Sequence, residues 1–236
     1  MDVSLVIPVY NEAQSLKELL PEAVQELAAL GLSYEIIVAD DASTDDTCEV
    51  VSRCMYDHPQ IRLHSLTKNS KKAGALAAGF AASTGDIIVT IDGDLQDDPS
   101  NIAILIRALN DGADVVIGRK MNRQAPLNRR VSSWAFNCMC RLLFRTSFHD
   151  MNSGMKAYRR IVLSDLPLEG SLFRFGPIFL ATAEWSVLEV SVMHRPRKFG
   201  TSKFGTCHRC RGIVDLLRVK LLLRERERIR AAARSV

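Results

Sequence analysis

Two periods of apolar residues alternate along the first half of the chain. VSLVIPVY (residues 3–10) is a continuous run rich in β-branched residues, the pattern of a buried strand. Across residues 13–30, Leu16, Leu19, Leu20, Ala23, Val24 and Leu27 recur at helical spacing, which predicts a helix with a break at Pro21 and a stop at Gly31. YEIIVADD (34–41) predicts a second strand. TCEVVSRCMY (47–56) predicts a helix in which Val50, Val51 and Cys54 share a face and Ser43 and Thr44 supply the cap. The alternation continues through the strand IRLHSL (61–66), the helix AGALAAGFAAS (73–83), the strand DIIVT (86–90), the helix NIAILIRALNDG (101–112) and the strand ADVVIGR (113–119). Strands separated by helices of about a dozen residues imply right-handed crossovers and an α/β fold with a mostly parallel, doubly wound sheet, Rossmann-like in its nucleotide-binding half.

Ligands of such a sheet bind outside the carboxyl ends of its strands. Glu12 follows the first strand, Asp40 and Asp41 end the second, and Asp92 and Asp94 follow the fourth, so a parallel sheet brings all of them to one edge. In IDGDLQDDP (91–99), Asp92, Asp94, Gln96 and Asp97 are hard oxygen donors suited to a divalent cation that keeps several waters and also grips phosphates. The alternative is a solvated acidic loop leading into the next helix, with Pro99 near its first turn. The chain has no GxxxxGK[ST] loop and no GxGxxG turn, which argues against an NTPase and a dehydrogenase.

With 236 residues, 47% of them hydrophobic, the chain can bury one large core. The net charge of +4 conceals an asymmetry: residues 1–118 carry 7 basic and 19 acidic side chains, residues 119–236 carry 24 and 8. An acidic half able to hold a metal and a basic half able to hold anions fit a phosphate-rich substrate or an anionic membrane surface, unless the halves merely attract one another. The amino terminus enters a strand-like run without a basic leader, and the run IVDLLRVKLLL (213–223) is far short of the roughly 20 residues a membrane span needs. These features predict a cytoplasmic chain, peripheral at the cytoplasmic face of a membrane. The six cysteines are expected to be reduced thiols, with a zinc site joining Cys207 and Cys210 to Cys138 and Cys140 as the alternative. Residues 1–210 read as a catalytic domain and 211–236 as an amphipathic helix with a charged tail.

The motifs VIPVYNE (6–12), DDASTDDT (40–47), IDGDLQDDP, DVVIGR (114–119), DMNSGMKAYRR (150–160) and RPRKFGTSKFG (195–205) occur in the order seen in family 2 glycosyltransferases. The chain resembles most the polyprenyl-phosphate hexosyltransferase branch, which includes dolichol-phosphate mannose synthases and bacterial lipid-carrier glucosyltransferases. The resemblance implies a glycosyltransferase A fold. It implies that Pro8, Tyr10, Glu12, Val38 and Asp40 hold the nucleoside of a sugar nucleotide, and that Asp92, Asp94 and Gln96, with Gly93 between them, hold its diphosphate through Mg2+ or Mn2+. It puts Arg119, Arg197 and Lys203 at the donor phosphates, and Arg130 with Ser133 at the acceptor phosphate. Gly93 stands where the family more often has alanine, and Lys71 where it usually has glycine.

The chemistry follows from charge. A sugar nucleotide reacts when a cation and nearby Arg and Lys neutralise its leaving diphosphate. A phosphate monoester acceptor is largely dianionic at neutral pH and needs no strong protein base. In-line attack then inverts the anomeric centre, with Asp94 and Arg197 supporting the leaving group. Asp150 either orients sugar or acceptor or is a turn residue binding its own backbone. The expected activity is inverting transfer of a hexose from a GDP-mannose or UDP-glucose type donor to a polyprenyl phosphate. Two alternatives stay open: transfer to a polysaccharide or other hydroxyl, which calls for a carboxylate base, and a non-catalytic sugar-nucleotide-binding subunit of a membrane partner. Contact with a membrane or a membrane protein is expected, and a nucleic-acid partner is not. Of residues 213–223, the leucines suit acyl chains and Arg218 and Lys220 suit anionic headgroups, although the same leucines could equally pack on the sheet.

Overall fold

The computed structural model describes residues 1–121, 127–200, 215–226 and 228, and of residues 127–133 the backbone alone. The first half follows the predicted alternation: β1 (Val3–Val9), α1 (Ala13–Ala29), β2 (Tyr34–Asp40), α2 (Thr47–Asp57), β3 (Ile61–Ser65), α3 (Lys71–Ala82), β4 (Ile87–Thr90), α4 (Ile102–Asn110) and β5 (Val115–Lys120). Then come α5 (Leu127–Phe144), β6 (Lys156–Arg159), α6 (Gly176–Thr182) and β7 (Val187–Val192), and residues 215–226 are helical. The strands form one sheet in the order β3-β2-β1-β4-β6-β5-β7. β3, β2, β1 and β4 are parallel, β7 is parallel to β5, and β6 runs antiparallel between β4 and β5.

Alternation along β1 shows that both faces are covered. Leu5 and Ile7 pack with Leu16, Leu19 and Leu20 of α1 and Leu105 of α4, whereas Val6 packs on the other face with Leu76 and Phe80 of α3. A third apolar cluster, remote from β1, joins Cys140 of α5, Phe148, Met151, Phe175, Ile178 and Phe179 to Leu216, Val219 and Leu223 of the last helix. The carboxy-terminal helix therefore has a core face. Its Leu217 and Leu221 are exposed.

Three local expectations are corrected. α1 runs unbroken through Pro21, which lies on the exposed face, while Leu16, Leu19, Leu20, Ala23 and Leu27 hold the buried face. Ser43 and Thr44 do not cap α2. The Asn11 amide donates to Ser43 Oγ at 2.8 Å and the Thr44 amide donates to Asn11 Oδ1 at 2.7 Å, so these residues tie the loop after β2 to the loop after β1. The side chain that reaches the first turn of α2 is Asp45, whose carboxylate accepts from the Thr47 amide at 3.0 Å. Lastly, β6 and β7 extend the sheet to seven strands, two more than the periodicity predicts.

Glu35 pins the other end of the parallel half. Its buried carboxylate accepts from Ser4 Oγ at 2.7 Å, the Thr84 amide at 2.6 Å, Thr84 Oγ1 at 2.7 Å and Arg62 Nη1 at 2.6 Å. Burial alone would raise its pKa, but bonds from Thr84, Ser4 and Arg62 outweigh that and hold it at about 2.

Candidate active site

The chain's strand order reverses between β1 and β4, the place in a doubly wound sheet where a crevice opens at the carboxyl ends. Backbone strain gathers there. Among the described residues six non-glycines have positive φ, and four of them lie where the chain leaves β1, β2 and β4 or enters α3: Asn11 (51°), Ala42 (59°), Leu95 (62°) and Lys71 (65°). Each such residue costs on the order of 1–2 kcal/mol, and such outliers tend to cluster at functional sites. At Lys71 the left-handed backbone gives a physical reason for the glycine usual in the resembled family.

The acidic motif is folded on itself. Asp97 is buried, and its carboxylate accepts from the Asp92 amide at 3.1 Å and pairs with Lys120 Nζ at 3.1 Å. Asp92 is ion-paired with Lys72 of α3, and Asp94 with Arg197. Segment 194–195 lies antiparallel to 96–97, with the Arg195 amide donating to the Gln96 carbonyl at 2.8 Å, and this pairing delivers Arg197 to Asp94. Arg195 anchors the segment to Asp98 at 2.9 Å and to Glu22 of α1 at 2.6 Å, and Lys198 to Glu18 at 2.7 Å.

The antiparallel insertion of β6 brings in the second group of residues. Because Lys156 at its start pairs with Thr90 at the end of β4, the preceding loop lies at the same edge as the acidic motif. Gly154 in that loop sits so close to Asp92 that a Cβ would overlap the carboxyl group. Thr90 Oγ1 donates to the Gly154 carbonyl at 2.8 Å. Buried Asp150 reaches the Lys120 amide through Oδ2 at 3.5 Å, and its carbonyl closes the turn to the Ser153 amide at 3.2 Å. Lys156 is buried with its amine on the Ser153 carbonyl.

Charge is unevenly balanced among these groups. Burial would raise Asp92, but Lys72 and Lys120 overcome it and hold the group at about 2. Asp94 moves the other way: burial, then the charge of Asp92, lift it to about 6 against the pull of Arg197. Burial, then Lys72, press Lys156 down to about 8. Lys120 is raised, since Asp97, Asp92 and Asp150 outweigh its burial.

Among the described residues no group of three or more His, Cys, Asp or Glu could hold a metal ion. Asp92, Asp94 and the Gln96 amide nevertheless fit a cation such as Mg2+, which takes one or two carboxylates and completes its shell with water and phosphate oxygens. At present the Gln96 carboxamide donates to the Arg195 carbonyl at 3.5 Å.

Pro8, Tyr10 and Glu12 lie half-buried at the end of β1, and buried Asp40 ends β2 with its carboxylate bonded to the Ser43 amide at 3.2 Å. Val38 is wholly inside the core, so its side chain supports β1 and β2 from behind. Arg119 stands exposed, whereas its neighbour Lys120 points to the acidic cluster, because successive strand residues face opposite ways. Gly93 has a local reason: a Cβ would meet Val9 Cγ1 at 2.7 Å, so alanine is a larger change here than its size suggests. Arg130 and Ser133 lie on α5 with their side chains outside the described residues, and Lys203, Cys207 and Cys210 lie outside them altogether. Cys48, Cys54, Cys138 and Cys140 are free thiols. Sequence reasoning missed Lys72, Lys120 and Lys156; Lys156 lies within the DMNSGMKAYRR motif, which could have pointed to it, whereas Lys72 and Lys120 lie outside the motifs.

The sequence profile of glycosyl transferase family 2 matches residues 4–177, which span every strand but β7. The chain belongs to that family. This family 2 domain is 35% identical over 217 residues to the undecaprenyl-phosphate 4-deoxy-4-formamido-L-arabinose transferase of Pectobacterium carotovorum, a match covering 92% of the chain and 66% of that relative. It is 32% identical over 235 residues to the dodecaprenyl-phosphate galacturonate synthase of Rhizobium johnstonii, covering 97% of the chain and 69% of the relative. The chain thus spans about two thirds of the length of these curated relatives. Its fold is similar to glucosyl-3-phosphoglycerate synthase from Mycobacterium tuberculosis, solved in complex with Mn2+, UDP and phosphoglyceric acid. The TM-score is 0.72 at 22% identity, over 93% of this chain and 78% of that one. The predicted glycosyltransferase A fold is therefore borne out.

Proposed function

We propose that the domain catalyses inverting transfer of a hexose from a nucleotide diphosphate sugar to a polyprenyl phosphate. The observation that carries this reading is the paired acidic motif at the β1/β4 crevice, with Asp92 against Lys72 and Asp94 against Arg197. In this reading Tyr10, Glu12 and Asp40 border the nucleoside side of that crevice, and Lys120 and Lys156 lie buried behind the acidic motif, on Asp97 and the Ser153 carbonyl. Bound Mg2+ or Mn2+, held by Asp92, Asp94 and Gln96, would supply charge neutralisation at the leaving diphosphate. The protein's own part is to offer Lys72 and Arg197 as further cations there and to keep the carboxylates oriented through Asp97 and Gly154. The acceptor class rests on the two relatives, whose names specify undecaprenyl and dodecaprenyl phosphate. Residues 1–210 carry this chemistry in the proposal.

Among the described residues no helix is long and apolar enough to cross a membrane. Contact with lipid is assigned instead to the outer faces of α5 and the last helix. Trp134 and Leu142 are 66% and 82% exposed, Leu217 and Leu221 are 60% and 65% exposed, and Arg145, Arg218 and Arg224 stand exposed among them. α5 contains no acidic residue. Apolar side chains ringed by arginine suit an anionic interface, which supports a position at the periphery of a membrane.

The test is transfer from a panel of UDP- and GDP-hexoses to undecaprenyl phosphate with Mn2+. One donor is expected to yield lipid-linked sugar, with loss on chelation and a drop of about 100-fold or more in Asp94→Asn at unchanged melting temperature. Donor binding without transfer or hydrolysis would instead assign a non-catalytic binding subunit.

A further inference from the structure

We infer that Glu189 is a positioning residue, which fixes the His149–Asp150 turn and so aims Asp150 at the acidic cluster. The inference rests on the proposed reading of Asp150 as a site residue. Glu189 lies on β7, in register with Ile117 of β5, and its side chain is only 12% exposed. One carboxylate oxygen, Oε1, accepts from two consecutive amides, those of His149 at 2.7 Å and Asp150 at 2.8 Å. The other, Oε2, is 3.0 Å from His149 Nδ1. A carboxylate only accepts, so this contact puts a proton on Nδ1, and Nε2 is the acceptor when the ring is neutral.

A nearly buried carboxylate is costly to keep unless it is well bonded, and here the bonds converge on one turn of another segment. The turn is held on its flanks by other means. Phe148 and Met151 are sunk in the apolar cluster they share with α5 and the last helix, and Asn137 Nδ2 donates to the His149 carbonyl at 2.6 Å. Apolar packing fixes where the loop lies but leaves the peptide plane between residues 149 and 150 free to rotate. Asn137 holds the carbonyl of that plane, and Glu189 holds its amide together with the amide on the other side of His149. The Asp150 side chain is then directed to the Lys120 amide, and Lys120 carries the line on to Asp97.

Positioning of this kind has a signature that a purely structural role lacks. Donor binding depends on groups from β1, β2 and β4, so a tilted Asp150 should slow turnover and leave nucleotide affinity intact. The experiment compares Glu189→Ala, Glu189→Gln, Asp150→Asn and the double variant Asp150→Asn/Glu189→Ala. Its readouts are transfer from the active UDP- or GDP-hexose to undecaprenyl phosphate with Mn2+, calorimetric binding of the matching nucleoside diphosphate with Mn2+, melting temperature, and amide hydrogen exchange. Glu189→Ala is expected to lower kcat about 10- to 100-fold, as expected for a misplacement of about 1 Å, with nucleotide affinity within about twofold. Glu189→Gln should recover most of the rate, because its amide oxygen still accepts both N–H groups. The double variant should be no slower than Asp150→Asn alone.

Proportional loss of nucleotide binding and rate in Glu189→Ala, or additive losses in the double variant, would overturn the inference. The exchange experiment needs no substrate: loss of protection confined to residues 149 and 150 supports the clamp, and unchanged protection refutes it. If Asp150→Asn is fully active while Glu189→Ala still loses that protection, the clamp stands as a feature of the loop and the reading of Asp150 fails instead.

Discussion

Gly154→Ala tests Asp92 without touching it. A Cβ at this position overlaps the Asp92 carboxyl group, whereas ordinary contact begins at 3.4 Å. Restoring that separation requires the carboxyl to retreat by about 1 Å, since the Gly154 backbone is held by Thr90 Oγ1 on β4. A displacement of about 1 Å at a reacting centre costs roughly 100-fold in rate. The overlap itself, relieved partly by movement, should cost about 1–3 kcal/mol of stability, as overpacking commonly does. The variant should therefore fold, melt a few degrees lower, and lose about two orders of magnitude of metal-dependent nucleoside diphosphate release. Asp92→Ala/Gly154→Ala provides the control. With the carboxyl gone the overlap is gone, so melting temperature should recover toward that of Asp92→Ala while activity stays absent. Wild-type turnover in Gly154→Ala would mean that Asp92 can move freely during the reaction and holds nothing in place.

Other outcomes follow from single contacts. Glu35 has a folded-state pKa of about 2 against an ordinary 4.5, so its contribution is present above 4.5 and is lost as pH falls from there toward 2. That contribution is roughly 3 kcal/mol by linkage; urea titrations across this window should show the loss in wild type and not in Glu35→Gln. Lys71→Gly should stabilise by up to about 1 kcal/mol in thermal melts, since glycine tolerates the left-handed backbone that lysine holds at φ 65°. Trp134→Ala/Leu142→Ala should weaken salt-sensitive flotation with anionic vesicles without changing donor hydrolysis, and equal flotation of variant and wild type would remove α5 from the interface.

The parallel half was legible because its strands are continuous apolar runs with helices between them. β6 was not, because KAYR is four residues long and leads straight into a 3-10 turn, leaving no period to detect. The acidic half of the site could be placed because each carboxylate follows a strand whose direction the alternation implies. The basic half could not, since it depends on the side to which each residue turns. Arg119 and Lys120 are adjacent and alike in charge, and the register of β5 with β6 and β7 alone decides that Lys120 meets Asp97. Lys72 depends similarly on the start of α3, and Glu189 on a strand that sequence reasoning did not predict.

The antiparallel strand in mid-sheet also constrains how the protein is made. β4 and β5 have no direct bonding to one another; each is bridged by β6, from 66 residues beyond the end of β4 in the case of Lys156 and Thr90. A ribosome that has released only the first hundred or so residues presents β3, β2, β1 and β4 with the last of them an open, apolar edge, ready to pair with any strand it meets. The edge is covered only when β6 arrives from the basic half, bringing the 150–154 loop with it. Delivery of the 150–154 loop to the acidic motif and protection of the β4 edge are therefore one event in this chain, and a synthesis arrest before residue 156 should yield a chaperone-dependent species rather than a partly active one.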